Sequence, residues 1–100
     1  METGIYILAT SDGYRVAYSN LYTDLYSGYS DETRDYIINV PILLTMFNNC
    51  ALITDVDSAY KEALSISRTV KETDNGIMVL NYQKQPFEEL VNATEEKIIT

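Results

Sequence analysis

Two segments rich in apolar residues open the chain and predict a β-hairpin. Residues 4–10 read Gly-Ile-Tyr-Ile-Leu-Ala-Thr, and in the next segment Tyr14, Val16 and Tyr18 alternate with other residues. β-branched and aromatic residues at such positions are typical of strands. The Ser-Asp-Gly sequence between the two segments favours a tight turn, because glycine readily adopts the positive φ that the turn needs.

Between residues 20 and 40 the pattern leaves two interpretations open. Tyr18, Tyr22, Tyr26 and Tyr29 are spaced by four, four and three residues, which is the spacing of one helical face. The competing interpretation is an extended excursion from the second strand. Residues 36–40 likewise fit either a strand or the end of a helix.

The second half predicts helices and one further strand. Residues 42–47 are nearly all apolar and follow Pro41, which predicts a short buried helix that begins at the proline. Residues 77–82 are also mostly apolar and predict a strand in the centre of a sheet. Pro86 is followed by acidic residues and predicts a second short helix.

The strongest helical periodicity lies at residues 55–71. The Thr-x-x-Asp pattern that starts at Thr54 is typical of a capping box. One face of this helix is expected to pack in the core, Tyr60 included; its residues are Val56, Ala59, Tyr60, Ala63, Ile66, Ser67 and Val70.

Together these elements predict an α+β fold in a single domain, residues 1–100. A hairpin joined by a later strand predicts a small, mostly antiparallel sheet. Such a sheet must bury an apolar face, and the amphipathic helix is the natural cover.

Charge excludes several classes of function. Against 15 acidic residues the chain has 7 basic ones, giving a net charge of −8 and a pI of about 4.2. The basic residues are scattered, so we expect no direct binding to nucleic acid and none to anionic membranes.

The longest apolar stretch is too short to cross a bilayer and there is no signal-peptide pattern. A soluble, intracellular protein is expected.

Residues for catalysis or metal binding are scarce. The chain has no histidine and a single cysteine, Cys50, which excludes His-based dyads, His metal ligands and a cysteine zinc site. Cys50 is expected to be a small buried apolar residue. Only a minor alternative remains, a small carboxylate enzyme using Asp55 and Asp57 or Glu88 and Glu89. Both pairs are better explained as charges at helix N-termini. We therefore expect no enzyme activity, no cofactor and no metal site.

The compositional excess is tyrosine, with nine residues. Tyrosine combines a large rigid ring with a polar hydroxyl and is common in interfaces. Three of the tyrosines lie in the least regular part of the chain, close to acidic residues, and packing against the rest of the chain is the alternative explanation for them. We predict that the following residues form a partner-binding surface: Tyr22, Asp24, Tyr26, Tyr29, Asp31, Glu32 and Asp35.

An acidic, aromatic surface fits a protein partner with a basic surface. If that partner surface normally binds nucleic acid, the carboxylates would imitate a phosphate backbone. The alternative is a structural or assembly protein that self-associates into a homo-oligomer through its tyrosine and apolar surface.

The pattern of the chain resembles short proteins encoded by tailed bacteriophages. The segments that carry the resemblance are residues 3–8 and 10–17 near the start, and residues 57–64 and 75–80 later. They cover less than half of the chain and contain no chemical motif. The resemblance implies a protein in the cytoplasm of a host cell that binds and modulates a host factor, commonly as an inhibitor of a defence system or of transcription.

Overall fold

Three helices and five strands make up the part of the chain that the computed structural model describes, which is residues 3–21, 24–31, 35–70, 76–82 and 85–92. In chain order the elements are β1 (Gly4–Thr10), β2 (Gly13–Ser19), β3 (Tyr26–Ser30), β4 (Asp35–Ile38), α1 (Val40–Phe47), α2 (Val56–Thr69), β5 (Ile77–Tyr82) and α3 (Phe87–Asn92).

The N-terminal hairpin is confirmed. β1 and β2 pair antiparallel, with Thr10 opposite Gly13 at the turn. Gly13 has a φ of +145°, and a Cβ built there would lie 2.7 Å from the carbonyl oxygen of Ile53. The backbone of Tyr14 exchanges hydrogen bonds of 2.7 and 2.8 Å with that of Ile53. Glycine is therefore required at position 13 both for its backbone conformation and for the close approach of residue 53.

The three-stranded sheet is mixed, with strand order β2-β1-β5. β5 pairs parallel with β1, so the prediction of a mostly antiparallel sheet is wrong, although the α+β class holds. The prediction that residues 77–82 form a central strand is also wrong, because β5 lies at the edge and β1 in the centre. The long connection through α2 returns the chain to the start of β1, where the Ile5 N–H donates to the Gly76 carbonyl at 3.0 Å. A connection of this length is what parallel pairing needs.

β1 is buried at each of its positions, because apolar side chains pack on both faces of the sheet. On one face Ile5, Ile7 and Val16 form a cluster with Ala59 and Ala63 of α2. On the opposite face a larger cluster joins the sheet to α1 and α3; its buried members are Tyr6, Leu8, Ala17, Leu25, Val40, Leu43, Met46, Phe47, Leu80, Tyr82 and Leu90. The helix expected at residues 42–47 is thus confirmed. It starts at Val40 and buries one face, whereas Thr45 is exposed.

α2 differs from its sequence prediction in two details. Its N-cap is Asp55 rather than Thr54, because the Asp55 carboxylate accepts the Ser58 N–H at 3.0 Å. Its buried face is narrow and centres on Ala59 and Ala63. Val56 and Tyr60 are 41% and 43% exposed and Ser67 is also exposed, so the expectation that these three residues pack in the core is wrong. Because alanine side chains are small, Ala59 and Ala63 let the helix axis lie close to the sheet. The flank of the helix that carries Tyr60 then points away from the sheet.

β3 and β4 form a second, two-stranded sheet. The helical interpretation of the tyrosine spacing is therefore wrong for Tyr26 and Tyr29, and the extended alternative is confirmed there. Within the part of the chain that the structure describes, no helix has the length and apolar character needed to cross a membrane.

Candidate partner-binding hairpin

The register of the β3–β4 hairpin aligns two tyrosines of the predicted surface, Tyr26 and Tyr29, with residues of β4 that the sequence prediction did not include. Tyr29 lies opposite Tyr36, Tyr26 lies opposite Ile38, and an irregularity in the register falls at Ser27. Tyr36 and Ile38 are two residues apart in β4 and share one face of the hairpin. Their partners Tyr29 and Tyr26 therefore share that face as well.

Acidic residues lie at the turn end of the same hairpin. Asp35 begins β4 opposite Ser30, and Asp31 follows β3 directly and is exposed. The structure thus places two acids of the predicted surface within one residue of the last strand pair. Tyrosine positions and acidic positions therefore lie on the same hairpin.

The remaining residues of the predicted surface are not gathered at this end. Asp24 is exposed but lies before β3, at the opposite end of the hairpin, where its N–H donates to the Leu21 carbonyl at 3.0 Å. Tyr22 and Glu32 lie outside the described residues.

The hairpin is joined to the core at its base. Leu25 precedes β3 and is fully buried in the larger cluster. Its carbonyl accepts the Asn39 N–H at 2.8 Å, and the Asn39 side chain accepts the Ile42 N–H at 3.4 Å as the N-cap of α1. Val40, the first residue of α1, is also buried. One end of the hairpin is therefore fixed by burial and by a helix cap.

A second polar cluster, which the sequence analysis missed, joins the β1–β2 turn to α3. One Asp12 carboxylate oxygen accepts hydrogen bonds from the Thr10 hydroxyl and from the Phe87 N–H at 3.1 Å. The Arg15 guanidinium lies 3.6 Å from the other oxygen and 3.9 Å from the centroid of the Phe87 ring. The sequence feature that could have indicated this cluster is Arg15, because it shares a strand face with buried Ala17.

An open depression of about 350 Å³ beside this turn is lined by Thr10, Ser11, Asp12, Gly13, Tyr14 and Thr54. The hydrogen bond from Thr10 is the main cause that lowers the pKa of Asp12, with further support from the Phe87 N–H and from Arg15. A carboxylate held in its ionised form by such partners is a poor general acid. The cluster is best explained as the attachment of the turn to α3.

The other candidate catalytic groups also have structural roles. Cys50 is half-buried against the larger cluster, its thiol lies 3.7 Å from the Met46 carbonyl, and burial raises its pKa. A raised pKa leaves little thiolate for nucleophilic attack. Asp55 caps α2 with Asp57 in the first turn, and Glu88 and Glu89 lie in the first turn of α3. Among the described residues, no three His, Cys, Asp or Glu side chains are grouped so as to hold a metal ion.

The lowered pKa of Asp12 predicts a dependence of stability on pH. A carboxyl whose pKa is lower in the folded state stabilises the protein above its unfolded-state pKa, near 4, and loses this contribution as pH falls through the folded value. We expect wild type to exceed Asp12→Asn in free energy of unfolding at pH 5–7 and the difference to shrink below about pH 4. Urea unfolding from pH 7 to pH 2.5 measures it.

A Thr10→Val background tests whether the Thr10 hydroxyl causes this pH-dependent difference in the free energy of unfolding. Removal of the hydroxyl takes away the main cause of the lowered pKa, so the pH-dependent effect of Asp12→Asn should become smaller there. A difference that stays constant across the whole pH range would contradict the prediction.

Comparison of the chain with protein-family models, curated proteins and solved structures finds no match.

Proposed function

We propose that the chain is a non-enzymatic, acidic protein-binding module that uses the β3–β4 hairpin to occupy a basic surface of a host protein. The observation that supports this most directly is the hairpin register, in which Tyr29 lies opposite Tyr36 and Asp35 lies opposite Ser30 beside the turn. An aromatic face that ends in carboxylates suits a partner surface with both apolar and cationic groups.

Charge and ring contacts contribute differently to such binding. The net charge of −8 accelerates encounter with a basic partner, and this contribution falls as salt is added. Tyrosine rings supply contact area at a low entropic cost and are enriched among the residues that dominate binding energy. A change of charge in the hairpin should therefore alter the binding affinity more than the same change elsewhere on the chain.

The partner class that fits best is a host protein whose basic surface normally binds nucleic acid. The carboxylates at positions 31, 32 and 35 would then occupy the place of phosphates, and the protein would act as an inhibitor. A bacteriophage protein that works in the cytoplasm of its host on a defence or transcription factor fits this proposal.

The test is capture from bacterial lysate by the immobilised full chain at low and high salt. We expect one host protein at stoichiometric level, released by high salt. Asp31→Lys should weaken its affinity about tenfold or more, the size of a contact worth ~1.4 kcal/mol.

Glu62→Lys is the matched control, because it makes the same change of net charge at an exposed position of α2. It should weaken binding much less than Asp31→Lys. Failure to capture a partner, or equal loss with both variants, would count against the hairpin as the binding surface.

A further inference from the structure

The second surface of interest is a stripe of exposed apolar side chains on α2. Val56, Tyr60 and Leu64 are 41%, 43% and 48% exposed and follow one another at intervals of four residues along the helix. We call these three residues the α2 stripe. Single exposed apolar residues are ordinary, but a contiguous row on one flank of a helix indicates an interaction surface.

The sheet beside α2 also leaves an apolar residue uncovered. Val79 of β5 lies opposite Ile7 of β1, and Ile7 packs in the cluster that contains Ala59 and Ala63 of α2. Val79 is therefore on the α2 side of the sheet, yet it is 47% exposed.

The charges along α2 indicate what kind of surface would pack there. Asp57 lies near the start of the helix and Arg68 near its end, and their separation of eleven residues places them on the same flank, next to the stripe. Within the helix two acids are balanced by two bases, Lys61 and Arg68, whereas the whole chain carries −8. Electrostatic repulsion between two copies of this acidic chain is therefore expected to be weakest where their α2 helices meet.

We propose that the protein forms a two-fold symmetric homodimer in which the α2 helices of the two protomers pack antiparallel through the α2 stripe. With the symmetry axis near residue 62, Tyr60 of one protomer meets Leu64 of the other, and Asp57 of one lies beside Arg68 of the other. The two-fold axis repeats each contact, as in any isologous interface. A parallel arrangement would place Asp57 against Asp57 and is disfavoured.

This dimer is independent of the proposed partner-binding function, since it uses α2 and leaves the β3–β4 hairpin unused. It also fits the size of the chain, because a domain of 100 residues has a modest core to which an interface can add.

Sedimentation velocity across a concentration series tests the proposal on the full chain. We expect wild type to be dimeric and Leu64→Lys to be monomeric, with an at least tenfold higher dissociation constant. Ser65→Lys is the matched control: it adds the same charge one residue away, at an exposed position that points away from the stripe. It should remain dimeric.

A charge-swap experiment tests the antiparallel geometry. D57R alone and R68E alone each place like charges together twice in a homodimer, so each should be mainly monomeric. An equimolar mixture restores an unlike pair at both contacts and should form a heterodimer. Circular dichroism confirms that each variant is folded, and a D57K and R68D pair repeats the test with different side chains.

Three results would overturn the proposal. Wild type could remain monomeric at high concentration, which excludes the dimer. It could dimerise equally well after Leu64→Lys, which assigns the interface to another surface of the chain. The mixed charge variants could fail to associate, which excludes the antiparallel arrangement.

Discussion

Phe47→Ala should lower the free energy of unfolding by about 3–5 kcal/mol, the usual cost of removing a buried phenylalanine ring. Phe47 is fully buried at the end of α1 and belongs to the cluster that joins α1, α3 and the three-stranded sheet. Removal of the ring leaves a cavity between these elements in addition to the lost apolar burial. The effect is a large part of the total stability, since small domains are stable by about 5–15 kcal/mol.

Urea unfolding at 25 °C, followed by far-ultraviolet circular dichroism, measures this change. Thr45→Ala is the matched control in the same helix, because Thr45 is exposed and its hydroxyl donates to the Pro41 carbonyl of the same helix, at 2.8 Å. Its free energy of unfolding should stay within about 0.5 kcal/mol of wild type. A loss below about 1 kcal/mol for Phe47→Ala would contradict the position of Phe47 in the core.

The elements that the sequence predicted well are those set by local chemistry. The β1–β2 hairpin follows from the alternation of residues 14–18 and the glycine at its turn, and α2 follows from its periodicity and its acidic N-cap. The arrangement of the sheet could not be predicted in the same way, because the position of β5 depends on contacts with β1 far away along the chain. An apolar strand can lie at an edge when only alternate residues, such as Leu80 and Tyr82, are buried.

The tyrosine spacing indicated a helix because an irregularity in β3 produces the same spacing in a strand. Residues three apart in a regular strand lie on opposite faces, whereas residues three or four apart in a helix share one. In β3 the register shift between Tyr26 and Gly28 inserts one residue, so Tyr26 and Tyr29 fall on the same face of a strand. The sequence thus indicated the correct grouping of these two tyrosines in the wrong secondary structure.

The cluster around Asp12 was missed for a different reason. Its contact with Phe87 joins residues 75 positions apart in the chain, and no local pattern reports such a contact. The available hint was that Arg15 shares a strand face with Ala17, because an arginine on a face that packs in the core needs a partner for its charge. The carboxylate of Asp12 and the ring of Phe87 are those partners.

Leu25→Ala should destabilise the whole protein by about 2–5 kcal/mol, although Leu25 lies at the base of the candidate binding hairpin. Its side chain is fully buried in the larger cluster, so its loss opens a cavity in the main core. Leu25→Met keeps nearly the same volume and should cost less than about 1.5 kcal/mol. Urea unfolding of both variants measures the difference between them.

Hydrogen exchange at a single amide reports whether the hairpin and the core share this loss. The Asn39 N–H is bound to the Leu25 carbonyl at 2.8 Å, and Asn39 also caps α1, so exchange at this amide requires the hairpin base to open. In Leu25→Ala we expect its protection to fall together with that of amides in α1, such as Phe47. If protection fell at Asn39 while α1 and the urea midpoint kept their wild-type values, the hairpin would be an independent unit. Packing in the core would then not fix the conformation of the hairpin. A partner would have to order the hairpin when it binds. If both fall together, the proposed binding surface is preorganised by the same apolar contacts that stabilise the fold. Affinity for the proposed partner and stability should then change in parallel in core variants near Leu25.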